Sequence, residues 1–173
     1  MTRRSANFLV GERKYVVPEL KVGDRAPAFE ATTVHGRPIR LADFAGQYLV
    51  LFFYPKAFTP GCTKEAKRFR DNYPEIQALG AEVVGVSVDD PTVQCDFGRE
   101  NHLEFALVPD SDKTLSEQFG VLRGLLPFDK RVTFIIAPDG TILARFHHEI
   151  QIERHTDDVL RFLRAVQVGR AAS

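Results

Sequence analysis

The sequence contains no tryptophan and only two cysteines, Cys62 and Cys95. Two cysteines in 173 residues do not build a disulfide framework, so the expected setting is reducing and cytoplasmic. Charge of one sign is missing too: 23 Lys and Arg face 23 Asp and Glu. That removes the basic footprint of nucleic-acid or membrane-surface binding, and neither partner is expected. No apolar run approaches the roughly 18–20 residues of a membrane-spanning helix. Arg3-Arg4 begins like an export signal, but the apolar piece at 7–10 is too short for one and Glu12-Arg13-Lys14 interrupts it. There is no glycine-rich phosphate loop and no C-x-x-C pair, which argues against a nucleotide enzyme and against a dithiol disulfide reductase. No cofactor is called for.

What is present is enough apolar sequence, 44%, for one sizeable core, so a single domain over 21–173 is expected behind an N-terminal extension, 1–20. Residues 48–54 (YLVLFFY) form an unbroken apolar run of strand length, the pattern of a strand covered on both faces. Pro60-Gly61 then opens a helical pattern, with Pro74 expected to kink or restart it after Tyr73. Residues 82–88 (EVVGVSV) read as a second strand, and Asp89-Asp90-Pro91 starts a helix reaching to about 101. A short strand at 105–108 and a short helix at 112–119 follow. Strands at 132–137 and 141–146 are joined by the turn Pro138-Asp139-Gly140, and 156–167 is an amphipathic helix. Alternating strands and helices with a terminal hairpin predict an α/β fold, a central mixed β-sheet flanked by helices.

Within the helix after Pro60-Gly61, Cys62, Ala66, Phe69, Tyr73 and Ile76 recur at steps of four and three and share one side. Cys62 therefore sits in the first turn, where unpaired N–H groups and the positive dipole end favour an anion. A free thiol is only about 3% thiolate at pH 7, and a helix N-terminus or a nearby cation raises that fraction. Two readings stand side by side: a small buried residue after a turn, or a nucleophile. Glu65, one turn on, opposes a thiolate unless a cation neutralises it and also faces the sulfur; a guanidinium fork suits that double duty. Several arginines are available, and position alone does not choose among them.

The stretch YPKAFTPGCTKEA (54–66), with Pro55, Thr59, Cys62 and Glu65 in strand–loop–helix context, resembles the active-site signature of the peroxiredoxins. It is similar in particular to the bacterioferritin comigratory protein, or peroxiredoxin Q, branch, and the likeness runs from about Leu20 to Gly140 and into the last helix. The resemblance implies a thioredoxin-like fold and thiol-dependent reduction of hydrogen peroxide and organic hydroperoxides. It assigns Cys62 as the peroxidatic cysteine, Thr59 as a hydrogen-bonding hydroxyl and Pro55 as a shield against water. The family's arginine precedes a strand matched by RVTFII, which places it at Arg131 and supplies the cation that Glu65 requires. Arg123 and Lys130 are expected to be solvated charges.

The sulfenic acid left on Cys62 needs a thiol. Many relatives carry a resolving cysteine five residues on, where this chain has Lys67. Others carry one in a later helix, at a position matching Gly98, one turn beyond Cys95. On a helix from Pro91, Val93 and Phe97 mark the buried side and Cys95 points away, so it is expected to be exposed. Resolution by Cys95 and resolution by an external thiol, thioredoxin or another reductant, both stand. His147-His148-Glu149 with His155 looks superficially like a metal site. Adjacent strand residues face opposite ways, however, and these side chains are expected at the solvated surface with no metal. The enzyme reading is weighed against a redox-sensing interaction protein in which oxidised Cys62 signals to a partner. The set Thr59, Glu65 and Arg131 favours the enzyme, as a monomer or homodimer.

Overall fold

The structure is a computed structural model that describes residues 19–171. In chain order its elements are β1 (Glu30–Thr32), β2 (Pro38–Arg40), a 3-10 turn (Leu41–Phe44), β3 (Tyr48–Phe53), α1 (Pro60–Ala78), β4 (Ala81–Ser87) and α2 (Pro91–Glu100). There follow β5 (Ala106–Pro109), α3 (Thr114–Gln118), β6 (Val132–Ile136), β7 (Ile142–His147) and α4 (Glu153–Ala171). The small hairpin β1–β2 is the element that the apolar pattern did not announce; its strands are three residues each.

Five strands form the main sheet in the order β5-β4-β3-β6-β7. β3, β4 and β5 run parallel, β6 lies antiparallel to β3, and β7 pairs antiparallel to β6 and so points the same way as β3. The β3 run is apolar throughout because it is central, and every one of its residues is buried. Its period of two feeds two cores. Val50 and Phe52 pack with Cys62, Ala66 and Phe69 of α1, Phe97 of α2 and Leu163 of α4. Leu49, Leu51 and Phe53 pack on the other face with Phe29, Leu115 and Phe119. The expected mixed sheet between helices is present.

Pro74 lies inside α1 and does not restart it, contrary to the sequence expectation. Pro74 faces solvent, while Tyr73 and Ile76 on either side of it are buried in the core between α1 and the sheet. Of the expected extension, residues 1–18 lie outside the described residues. Glu19 pairs with Lys130 and Arg145, and Leu20 packs on the core under β3.

Candidate active site

The site sits beyond the C-terminal end of β3, where the chain must turn into α1. Asp89, at the end of the neighbouring strand, holds that turn: its Oδ2 accepts from Ala57 N–H (2.7 Å) and from Ser87 Oγ (2.6 Å). Ser87 Oγ accepts in turn from Gln94 Nε2 (2.6 Å), which also reaches the Val108 carbonyl (3.0 Å). Phe58 adopts a left-handed φ of 64°, a conformation that costs an L-residue roughly 1–2 kcal/mol. Its ring meets Phe97 edge-on at 5.4 Å, so packing holds the bend.

Thr59 is the N-cap of α1, in extended conformation, and Pro60 occupies the first helical position, where a missing N–H is harmless. The helical ladder begins with Thr63 N–H on the Thr59 carbonyl (2.9 Å), so the N–H groups of Gly61 and Cys62 have no carbonyl to bond within the helix. A side chain at Gly61 would crowd the site: a Cβ there would sit 2.8 Å from Ile152 Cδ1 and 3.1 Å from Arg131 Nη2.

Arg131, just before β6, spans the two acidic groups of α1. Its Nη1 donates to Glu65 Oε2 (2.5 Å) and its Nη2 to Cys62 Sγ (3.5 Å). All three are buried, with Cys62 at 1%, Glu65 at 0% and Arg131 at 6% exposure. Burial pushes the Glu65 carboxyl up to about 7 against the pull of Arg131. Burial also works against the Arg131 charge, but Glu65 and then Cys62 outweigh it and hold that charge more firmly than usual. The backbone of Arg131 is anchored too: its N–H donates to Glu149 Oε1 (3.2 Å), a carboxylate also bound by His147 (2.8 Å) and by Arg123.

The structure thus brings Cys62, Glu65 and Arg131 into direct contact, and sets Thr59 and a half-buried Pro55 on the same loop. Glu65 is entirely buried, and Arg131 reaches it from the start of β6, as the need for a cation beside it anticipated. The Thr59 hydroxyl donates to the Lys56 carbonyl (2.8 Å) and not to the sulfur, which leaves its lone pairs to accept. Cys95 is half-buried and not exposed as expected. Gln94, drawn in by Ser87 and Val108, turns inward with Phe97, while Val93 packs partly buried against the same core. Cys62 and Cys95 are both free thiols.

Three further expectations are corrected. His155 is not at the surface but 0% exposed behind Glu65, and His148 is largely covered and paired with Asp158 (2.8 Å). Arg123 and Lys130 are ion-paired with Glu149 and Glu19 and only about a quarter exposed, 28% each. Asp89, His155 and Ile152 all support the site and were not singled out for it; only the Asp89-Asp90-Pro91 helix start drew attention, and there Asp90 is the cap. A cleft of about 500 Å³, lined in part by Arg37, Asp43, Glu82 and Glu104, lies at the opposite end of β4 from Cys62. No described helix is long and apolar enough to cross a membrane.

Comparison with known proteins agrees with this geometry. The sequence model of the AhpC/TSA family matches residues 22–145. Peroxiredoxin Bcp of Escherichia coli (strain K12) is 38% identical over 151 residues, 84% of this chain and 96% of that protein. Among solved structures, peroxidoxin BcpB from Mycobacterium tuberculosis superposes with a TM-score of 0.80 at 39% identity, covering 86% of this chain and 99% of that one. A bacterioferritin comigratory protein from Xanthomonas campestris, captured in intermediate and ligand complexes of its alkyl peroxide reduction activity, gives 0.75 at 30% identity, covering 84% and 96%.

Proposed function

The chain belongs to the AhpC/TSA family, as a thioredoxin-fold peroxiredoxin of the bacterioferritin comigratory protein branch, and on that premise we propose that Cys62 is the cysteine with which it reduces peroxides. The protein is a thiol-dependent peroxidase, an oxidoreductase. The observation that carries the assignment of Cys62 is the Arg131 fork, which touches both Glu65 Oε2 and Cys62 Sγ at the mouth of a long helix.

The guanidinium and the positive end of α1 favour a thiolate at Cys62. The thiolate attacks one peroxide oxygen in line. An S–O bond forms as the O–O bond breaks, and the electron pair leaves with the second oxygen, which departs as water or an alcohol. Sulfur is oxidised by two electrons to sulfenic acid, and the peroxide is reduced by the same two. Negative charge spreading along the breaking bond meets Arg131 and the N–H groups of Gly61 and Cys62, all in place before the reaction. Glu65 positions Arg131, the Thr59 hydroxyl accepts a hydrogen bond from the peroxide O–H or turns to donate one, the proton of the attacked oxygen passes to the leaving oxygen, and Pro55 screens the sulfur from water. Hydrogen peroxide and organic hydroperoxides are both substrates in this reading.

A thiol then condenses with the sulfenic acid, forming a disulfide and releasing water, and a reductant such as thioredoxin reduces the disulfide. Cys95 fills the first role if the opening turns of α1 or α2 unwind, since both cysteines lie within hydrogen-bonded helices; otherwise an external thiol does. A reducing cytoplasmic setting suits both free thiols.

Stopped-flow oxidation of the wild-type protein, C62S and C95S by hydrogen peroxide tests the assignment. Oxidation is expected to be far faster than that of a free thiolate and to vanish in C62S; a wild-type rate no faster than a free thiolate overturns it. Intact mass after one equivalent of peroxide separates the two routes. Loss of two hydrogens, abolished in C95S, identifies Cys95 as the resolving thiol, whereas retained oxygen on Cys62 identifies an external one.

A further inference from the structure

Glu65 is bound on one side only. Oε2 takes the Arg131 Nη1 hydrogen bond, whereas Oε1, equally buried, has no hydrogen-bond partner. What faces Oε1 is the Nδ1 edge of His155, 3.8 Å away and also fully buried. Whether that edge carries a proton decides what Glu65 experiences.

The surroundings of His155 answer the question. Its Nε2 lies 2.9 Å from the His148 carbonyl oxygen, which can only accept, and 3.3 Å from the His148 N–H, which can only donate; the shorter contact puts the ring proton on Nε2. Nδ1 lies 2.8 Å from Thr133 Oγ1 and, being unprotonated, accepts the threonine's hydrogen. The lone pair of Nδ1 is then occupied and no donor is left for Glu65. Burial also disfavours a second proton and moves the imidazole down to about 4, so the ring stays neutral at any pH at which the enzyme works.

We propose that His155 is a positioning residue of the peroxide site: its proton-free edge withholds a donor from Glu65 Oε1, leaving Arg131 as the sole described donor to Glu65, so that the protonation of Glu65 sets how much guanidinium charge faces the Cys62 sulfur. When Glu65 takes up a proton, Arg131 loses its competing anion and turns its charge wholly to the sulfur. The guanidinium pull on the sulfur therefore strengthens as Glu65 is neutralised, and oxidation of Cys62 falls by less than tenfold per pH unit on the acid side. The charged and titratable groups around the pair are consistent with this: Glu65 is faced by Arg131 and by Glu149, which opposes its ionisation, and also by Tyr54. His155 is faced by the His148 ring and Arg131, which oppose its protonation along with burial, and by the His148 carbonyl and Asp158, which favour it but are outweighed.

The inference rests on Cys62 being the reacting cysteine, and its test keeps the two apart. The rate constant of Cys62 oxidation by hydrogen peroxide is measured from pH 5 to 9 in wild type, H155N, H155L, E65Q and H155N/E65Q. In H155N the amide supplies a donor to Glu65, which stays ionised to lower pH, and the acid inflection linked to Glu65 moves down by about one unit. H155L loses the same bond to the His148 carbonyl but supplies no donor, so its inflection does not move down. In the E65Q background H155N changes nothing further. Equal profiles for H155N and H155L, or an H155N shift that persists in E65Q, overturn the proposal. The wild-type protein gives an independent reading should the variants fold poorly: the ¹⁵N shifts of the His155 ring must report an Nε2–H tautomer from pH 5 to 9, and an Nδ1–H or imidazolium signal overturns it. If C62S still consumes peroxide, both readings fail; if C62S is inactive and H155N leaves the profile unmoved, only this one does.

Discussion

Replacing Arg131 with methionine examines the electrostatics of the site through stability, independently of rate. The guanidinium is the only described donor to Glu65, a carboxyl without solvent exposure. In the wild-type protein burial raises Glu65 from 4.5 to about 7, with Arg131 pulling the other way. A carboxyl whose folded value lies above its unfolded value favours the folded state below 4.5 and loses that contribution as pH rises towards about 7. Above about 7 both states of the wild type are ionised and the loss stops. Without Arg131 the folded carboxyl keeps its proton to higher pH, and the loss continues at about 1.4 kcal/mol per pH unit. Relative to wild type, R131M is therefore expected to lose about 3 kcal/mol more stability at pH 9 than at pH 7. Below pH 7 the difference between the two reports the lost guanidinium hydrogen bonds together with the packing of the arginine stem, and Glu65 adds no change with pH. Urea unfolding at intervals from pH 6 to 9 measures this for R131M, E65Q and R131M/E65Q against their parent, all in a C62S background so that the thiol facing Arg131 is absent. E65Q removes the titrating group, so the double variant shows no such growth relative to E65Q. A penalty for R131M that is flat from pH 6 to 9, or that grows equally in the E65Q background, refutes the reasoning.

Two further outcomes are expected. In G61A the new methyl meets Ile152 Cδ1, which can rotate away, and Arg131 Nη2, which is tethered to Glu65; oxidation of Cys62 should slow by roughly tenfold, as for a partly displaced transition-state donor, with little loss of stability, and an unchanged rate in stopped flow contradicts this close approach. Beneath α3, Ser116 Oγ lies 2.6 Å from Asp110 Oδ2 and 3.0 Å from Asp129 Oδ2, and one hydroxyl proton cannot serve two carboxylates. Burial pushes Asp129 from 3.8 up to about 8, so its contribution to stability is complete below 3.8 and disappears as pH rises through about 8. D129N, which mimics the protonated acid, should therefore gain about 3 kcal/mol on wild type between pH 6 and pH 9 in urea unfolding, and parallel pH profiles for the two proteins would rule out a neutral Asp129.

The local signals in the chain were enough to single out the proposed nucleophile. The run at 48–54, the Pro60-Gly61 punctuation and the spacing of Cys62, Ala66, Phe69, Tyr73 and Ile76 lie within 29 residues of one another, and they put a cysteine at the start of a helix that leaves a buried strand. Strand, cap and helix face are decided by neighbours in sequence, so sequence alone determined them. It also determined the need for a cation at Glu65, since a carboxylate one turn from a thiolate is unfavourable whatever the fold. Which cation answers that need was not decided locally: Arg131 is 66 residues from Glu65 and meets it because β6 lies beside β3. The same holds for the expectations that failed. Pro74 was judged by backbone sterics, yet Tyr73 and Ile76 packed on the sheet keep the helix whole. Cys95 was placed by helical angle from Val93, but the bonds from Gln94 to Ser87 and Val108 set the rotation of α2. His155 passed for a surface residue until the last helix laid it against Glu65, where burial removes its charge. Periodicity specifies which side of an element is apolar. The side chains that meet across the sheet, and the charges that survive there, depend on desolvation and on contacts between distant segments, and only the tertiary structure brings those together.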